Sequence, residues 1–321
     1  MKFGPFLLRC LAVCVALIPL IACQHANMRQ ALRAASFDGP DAWPTMLAEY
    51  QPWFGEKNHM DVGYASNDPA VLRRQIEEAK KLGITGFAVN WYGPRNRVED
   101  SNFALLQGTA LASNFKVALL YDEAADAPGS ATDAVVTDLQ YAYDHYIGSQ
   151  AGPMRDAYLR YNGRPLIFIF PKGAGTDWNQ VRQAVDQWPE DDRPLLIYKD
   201  FDGQYANAFD GFYAWVNPGK DGWIKDGSHW GEPYLQNFYQ TINSKYPDKI
   251  AVGAAWPGFD DTRASWSMNR HISPRCGKTF EETLRLFRTY YNNSHPLPFL
   301  MIETWNDYEE GTAIEKGLPK C

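Results

Sequence analysis

Apolar or β-branched runs recur along this chain with room for a helix between most of them: at 46–51, 84–91 (ITGFAVNW), 116–121 (KVALLY), 165–170 (PLIFIF), 194–198 (PLLIY), 211–216 (GFYAWV), 250–256 (IAVGAAW) and 298–303. A sheet with one wet face alternates apolar and polar residues, whereas these runs are nearly all apolar, so both faces of each strand are covered. Eight such strands alternating with helices predict an α/β fold, a single (β/α)8 TIM barrel. The 321 residues accommodate one, since a barrel takes about 250. Asp68 with Pro69 opens a helix whose face is Leu72, Ile76, Ala79 and Leu82; Thr279 with Glu282 reads as a capping box ahead of Leu284, Phe287 and Tyr291. Asp177 is placed to cap WNQVRQAVDQW, and Leu235, Phe238 and Ile242 line a further helix. Asn162-Gly163 is a hairpin turn leading a short extra strand into the fourth barrel strand. The barrel is expected to be irregular: the fifth and sixth strands lie too close for a full helix, and the last helix is short or missing.

Ahead of the barrel, residues 1–22 read as an export signal, with Lys2 and Arg9 beside the apolar stretch FLLRCLAVCVALIPLIA. It ends in LIAC, Leu20 to Cys23, which resembles the bacterial lipobox and predicts a lipid on Cys23 that tethers the protein to a membrane face. Gln24 stands where Asp would retain such a protein at the inner membrane, so the cell envelope on the outer-membrane or periplasmic side is the expected location. Residues 23–44 are polar and Ala-rich and read as a flexible tether, leaving 45–321 as the barrel. Once the signal and a lipidated Cys23 are set apart, Cys276 and Cys321 remain, either as a disulfide pinning the C-terminal tail or as two thiols.

Charge and composition narrow the partners. With 38 acidic against 31 basic residues, a net charge of −7 and no basic run, the chain lacks the long-range attraction on which nucleic-acid binding rests. Aromatic content is 14%, with 11 Trp and 18 Tyr, and many of these rings stand beside Gly, Pro, Asn and Asp, a mixture that suits the C–H face and hydroxyls of a sugar. His59, His145, His229, His271 and His295 have no i,i+4 pairing, and no phosphate-cradling glycine loop is present, so no metal and no cofactor is expected.

In a (β/α)8 barrel the active site sits at the C-terminal ends of the strands. There this chain places Tyr50 to Trp53, Asn90-Trp91-Tyr92, Tyr121-Asp122-Glu123, Lys172, Lys199-Asp200, Asn217, Trp256 with Asp260-Asp261, and Trp305-Asn306-Asp307. After the last strand, TWNDYEEGTAIE sets Asp307 and Glu310 three apart, about 5–6 Å between Cβ atoms in a helical turn. Two carboxyls at that range divide into one proton donor and one base, the arrangement glycoside hydrolysis needs. Glu309 points elsewhere in the same turn and reads as solvated. Tyr50, Trp53, Asn90, Trp91, Tyr92, Tyr121, Asp122, Glu123, Trp256, Asp260, Asp261, Trp305 and Asn306 are the candidate sugar contacts.

NDYEEGTAIE resembles the N-E-W-H-E-G-T-x-I-E signature of glycoside hydrolase family 99, the endo-acting α-mannosidases and α-mannanases, and TWNDY resembles the W-N-D-Y-G-E signature of family 71, the α-1,3-glucanases. YQPWFG at 50–55, the block at 62–94, YLRYNGRPLIFIF, and WPGFDDT with NRHISPRCGKTFEE carry the resemblance over almost all of 46–315. It implies an α-linked oligo- or polysaccharide substrate of mannan or glucan type, Asp307 in the place of the family 99 base and Glu310 in that of the acid/base. Family 99 retains anomeric configuration through attack by the sugar's own 2-hydroxyl, and family 71 inverts. The shorter Asp at the base position sets its carboxylate back and makes room for a water, so both outcomes stay open. The expectation is therefore an exported, lipid-anchored, monomeric glycoside hydrolase; a non-catalytic glycan-binding lipoprotein and a barrel relative acting in polysaccharide assembly are the alternatives.

Overall fold

The computed structural model describes residues 28–32, 45–123, 129–218, 229–292 and 297–318. Eight parallel strands form the barrel: β1 (Thr45–Tyr50), β2 (Ile84–Trp91), β3 (Lys116–Asp122), β4 (Arg164–Phe170), β5 (Leu195–Lys199), β6 (Gly211–Tyr213), β7 (Ile250–Ala255) and β8 (Phe299–Ile302). Each pairs with the next in chain order, β3 meeting β4 with Leu119 opposite Ile167, and β8 closes onto β1 with Phe299 opposite Thr45 and Ile302 opposite Ala48. Closure satisfies both edges of the sheet, which is what the two-faced apolar runs require. Around it pack α1 (Pro69–Lys81), α2 (Arg97–Ala112), α3 (Ala131–Ala142), α4 (Trp178–Val185), α5 (Glu232–Lys245) and α6 (Lys278–Tyr290).

Local chemistry sets the ends. Asp68 accepts a hydrogen bond from the Ala70 amide and Asp177 from those of Asn179 and Gln180, so both expected caps are present. The hairpin at Asn162-Gly163, with φ of 50° and 83°, pairs Tyr161 with Arg164. The capping box at Thr279 is not formed: the helix cap is Gly277, two residues earlier, while the Thr279 hydroxyl donates to Ser273 O and Glu282 pairs with Arg275. The helices α2 and α3 lack a clean apolar stripe because Asn102, Gln107 and Asp138 are buried on their packed faces. These are held by Pro52 O, by Tyr146 O and Met154 O, and by Arg95 with Tyr121.

The sixth strand is three residues rather than six, because beyond it the Val216 amide turns to the Glu303 carboxylate instead of the ladder. As expected, β5 and β6 are joined through no more than a 3-10 turn, Ala206–Ala208, and no helix follows β8 among the described residues. A buried carboxylate helps hold the segment after β8: Glu315 accepts from Tyr64, Arg74, Gln75 and Tyr308 and ties it to α1. Residues 28–32 form a helical turn in which Met28 and Leu32 are fully buried in the core, so part of the stretch read as a tether packs against the barrel. The export signal, Cys23 and Cys321 lie outside the described residues; Cys276 is disulfide-bonded.

Candidate active site

At the C-terminal rim the barrel opens into a cavity of about 590 Å³, within the range of small-ligand sites. Its acidic wall is the turn after β8. The Asp307 amide donates to Thr304 Oγ1, and the Asp307 carboxylate in turn accepts from the amides of Glu309 (3.0 Å) and Glu310 (2.8 Å). This Asx-type turn points Glu310 into the cavity beside Asp307. Gly311, with φ of 65°, lets the turn lie against the loop after β7, where an added Cβ would stand 3.1 Å from the Asp260 nitrogen.

Asp307 is 1% exposed and is held by a relay of amides across the floor: Asn90 Nδ2 donates to Gln51 Oε1, and Gln51 Nε2 donates to Asp307 Oδ2 at 3.2 Å. Asn306 fixes Gln51 from the backbone side, accepting from its amide and donating to its carbonyl. Glu310 accepts from the indole of Trp266 at 3.0 Å. Burial pushes both carboxyls above their ordinary range, and for Asp307 the facing Glu310 adds to it, while its two backbone amides pull the other way.

Aromatic rings cover one side. Trp53 stacks on His59 with centroids 4.6 Å apart and meets Trp266 edge-on at 5.9 Å. His59 is set in place by Glu309, whose buried carboxylate receives His59 Nδ1 at 2.9 Å and the Met60 amide at 3.0 Å. Glu309 is thus an anchor for the loop after β1 and not a solvated side chain. The opposite side carries ion pairs: Lys172 to Asp122 at 3.0 Å, Lys199 to Asp200 at 3.7 Å, and Tyr234 donating to Asp200. Burial raises the Asp122 carboxyl to about 6 against the pull of Lys172.

The family described as Glycosyl hydrolase family 99 matches residues 54–321. The chain belongs to that family. Among similar proteins, the glycoprotein endo-alpha-1,2-mannosidase of Mus musculus is 24% identical over 310 residues, covering 87% of this chain and 62% of that protein. The mouse glycoprotein endo-alpha-1,2-mannosidase-like protein is 24% identical over 275 residues, covering 80% and 57%. The chain thus spans about three-fifths of the length of the curated relatives it matches. Of solved structures, the family 99 endo-alpha-mannosidase from Bacteroides thetaiotaomicron superposes with a TM-score of 0.64 at 18% identity, over 84% of this chain and 87% of that one. At that identity the likeness speaks for the fold.

Of the residues singled out by the sequence, Asp307, Glu310, Trp53, Asn90, Tyr92 and Asp122 line the cavity. Tyr50, Trp91 and Tyr121 face the helices, donating to Gln75 (2.8 Å), Asp100 (3.0 Å) and Asp138 (2.8 Å). Successive strand residues point to opposite faces, so inward Gln51, Asn90 and Asp122 send these neighbours outward. Trp256 is buried and donates to Trp230 O; Trp305 packs on Phe87, and Asn306 acts through Gln51. Glu123 accepts from the amides of Lys172 and Gly173 and from Thr176, pinning the loop after β4. Asp261 is buried under Arg270, Met268 and Ser267, and Asp260 caps the Thr262 turn. None of these nine lines the cavity. The sequence reading did not single out Glu49, Glu303, His59, Trp215, Tyr234, Trp266 or Arg270. Glu49 and Glu303 left a signal, each a charge within an apolar run, Glu49 two residues before Gln51 on the same strand face.

Proposed function

We propose that this family 99 barrel hydrolyses an α-linked glycan of the mannan type, with Glu310 as general acid and Asp307 as general base. The observation that carries the assignment is the unequal supply of donors to two buried carboxyls. Asp307 receives three hydrogen bonds, two from fixed backbone amides, and these donors favour its charged form against the upward push of its burial. Glu310 receives one, from Trp266, which leaves its other oxygen to carry a proton into the cavity. A glycosidic oxygen departs readily only when protonated, which Glu310 provides, while Asp307 takes the proton of the attacking hydroxyl. Trp53, Tyr92 and Trp266 supply ring faces for the sugars. The mannan preference rests on the endo-alpha-1,2-mannosidase relatives.

We further propose export and anchoring at the cell envelope through a lipid on Cys23, on the strength of the LIAC sequence; incorporation of labelled palmitate that C23S abolishes would test it. The hydrolysis is tested by proton NMR of the anomeric signals during digestion of yeast α-mannan and α-1,3-glucan by the protein, D307N and E310Q. Cleavage of mannan lost in both variants is the expected result, and the first anomer to form reports retention or inversion. Binding of the glycans by all three proteins without cleavage would replace the enzyme reading with a glycan-binding one.

A further inference from the structure

The chain after β6 is fixed by side chains from other parts of the barrel. Its ladder with β7 ends where Tyr213 stands opposite Val252, while β7 and β8 stay paired as far as Ala255 and Ile302. In the gap this leaves, the Ala254 amide of β7 donates to the Tyr239 hydroxyl at 3.1 Å. The Trp215 amide donates to the Tyr234 hydroxyl at 3.2 Å, and the Val216 amide to the Glu303 carboxylate. Tyr234 is itself anchored as a donor to Asp200. Glu303 follows directly on β8 and is fully buried, so its side chain crosses the width of β7 to reach Val216. The Trp215 ring meets Phe170 edge-on at 5.4 Å, and Gly231 lets the Asn217 backbone close in, since an added Cβ there would stand 3.8 Å from Asn217 O and 3.0 Å from the Trp256 ring.

Asn217 sits on this mount. Its neighbours Trp215, Val216 and Pro218 are buried, whereas Asn217 is exposed and lines the cavity. Its side-chain amide makes no hydrogen bond among the described residues. An amide offers a donor at Nδ2 and an acceptor at Oδ1, a match for two neighbouring hydroxyls of a sugar. Held on fixed backbone and bound to no other side chain, it breaks no protein hydrogen bond and orders no loop when it takes a ligand. We propose that Asn217 is a sugar-binding residue of this cavity and that Glu303 is the positioning residue that presents it. The acid at 303 is not there to satisfy itself, since its Oε1 is buried without a partner among the described residues. A half-satisfied buried acid costs stability, and the contact it makes is the one on Val216, the residue before Asn217.

This inference rests on the proposed glycan substrate, and its test separates binding from cleavage. For the wild type, N217A, E303Q, E303L and E303L/N217A, kcat and KM are measured on yeast α-mannan, with calorimetric binding of the same mannan and thermal melting beside them. Neither residue shares a hydrogen bond with Asp307, Glu310 or Gln51, so the loss falls on binding. N217A raises KM and Kd by about five- to tenfold, lowers kcat by less than about twofold and melts with the wild type. E303L, similar in volume but with no acceptor for Val216, reproduces that loss, and the double variant binds no more weakly than N217A alone. Glutamine keeps an acceptor and holds KM within about twofold of the wild type. Unchanged KM and binding in N217A would overturn the sugar contact. Losses that multiply in the double variant, a fall in kcat at constant KM in E303L, or an E303L protein that no longer folds would make Glu303 a purely structural residue and overturn its positioning role. Weakened binding in N217A among proteins that cleave nothing would uphold the contact and sink the hydrolase reading.

Discussion

Replacing Asp307 by asparagine should abolish activity while leaving the fold almost unchanged, and the structure says how. The new side chain keeps one oxygen for the amides of Glu309 and Glu310, but its Nδ2 would replace Oδ2 and point at Gln51 Nε2, donor against donor. If both amides held their places, that clash would cost about 1–3 kcal/mol. The relay can instead reverse. Gln51 flips to accept from the introduced Nδ2, and Asn90 flips so that its Oδ1 accepts from Gln51. Asn90 already has one buried end without a partner, its Oδ1, so reversal leaves the number of orphaned atoms the same. The net cost is then below about 1 kcal/mol, and Tm moves by less than about 4 °C. Loss of a general base costs on the order of 10²–10⁴-fold in rate. Calorimetry and kcat/KM on α-mannan, with a crystal structure of the variant to show the flipped amides, test both halves. Activity above a tenth of wild type would refute Asp307 as the base, and a Tm loss of 10 °C with a reversed relay would refute the accounting of donors.

Removing the indole donor with W266F takes a hydrogen bond from the ionised form of Glu310, so this carboxyl holds its proton to higher pH and the alkaline limb of kcat/KM moves upward; a limb that stays put would show that Trp266 does not tune the acid. Asp122, raised to about 6 by burial, destabilises the fold relative to an uncharged side chain as pH climbs from about 4 through 6, because the unfolded chain gives up that proton more easily. D122N should therefore match the wild type in thermal stability at pH 3.5 and exceed it at pH 7, and a constant difference across the range would contradict the assignment. E315A leaves the side chains of Tyr64, Gln75 and Tyr308 without their shared acceptor and should cost about 3–5 kcal/mol in denaturant melts. A cost under about 1 kcal/mol would show that the segment after β8 is held by its other contacts and not by Glu315.

What the sequence determined by itself was the barrel and the acidic turn after its last strand. A run of residues apolar on both faces needs cover on both sides, and eight such runs separated by helices have few ways to obtain it, so β1 to β8 were located to within about three residues of where they fall. Asp307 and Glu310 were legible for a similar reason, since their relation is local, three residues within one turn. Tertiary structure decided which neighbour on each strand faces the cavity. Asn90 and Trp91 are adjacent in sequence and equally suited to a sugar, yet closure of the barrel turns Asn90 inward and gives Trp91 to Asp100. It also decided the pairings that join distant segments: Glu309 with His59, Glu310 with Trp266, and Gln51 with Asp307. A one-dimensional pattern records how often a residue faces inward, whereas the partner that fixes a carboxylate's proton comes from another strand and is set only when the sheet closes.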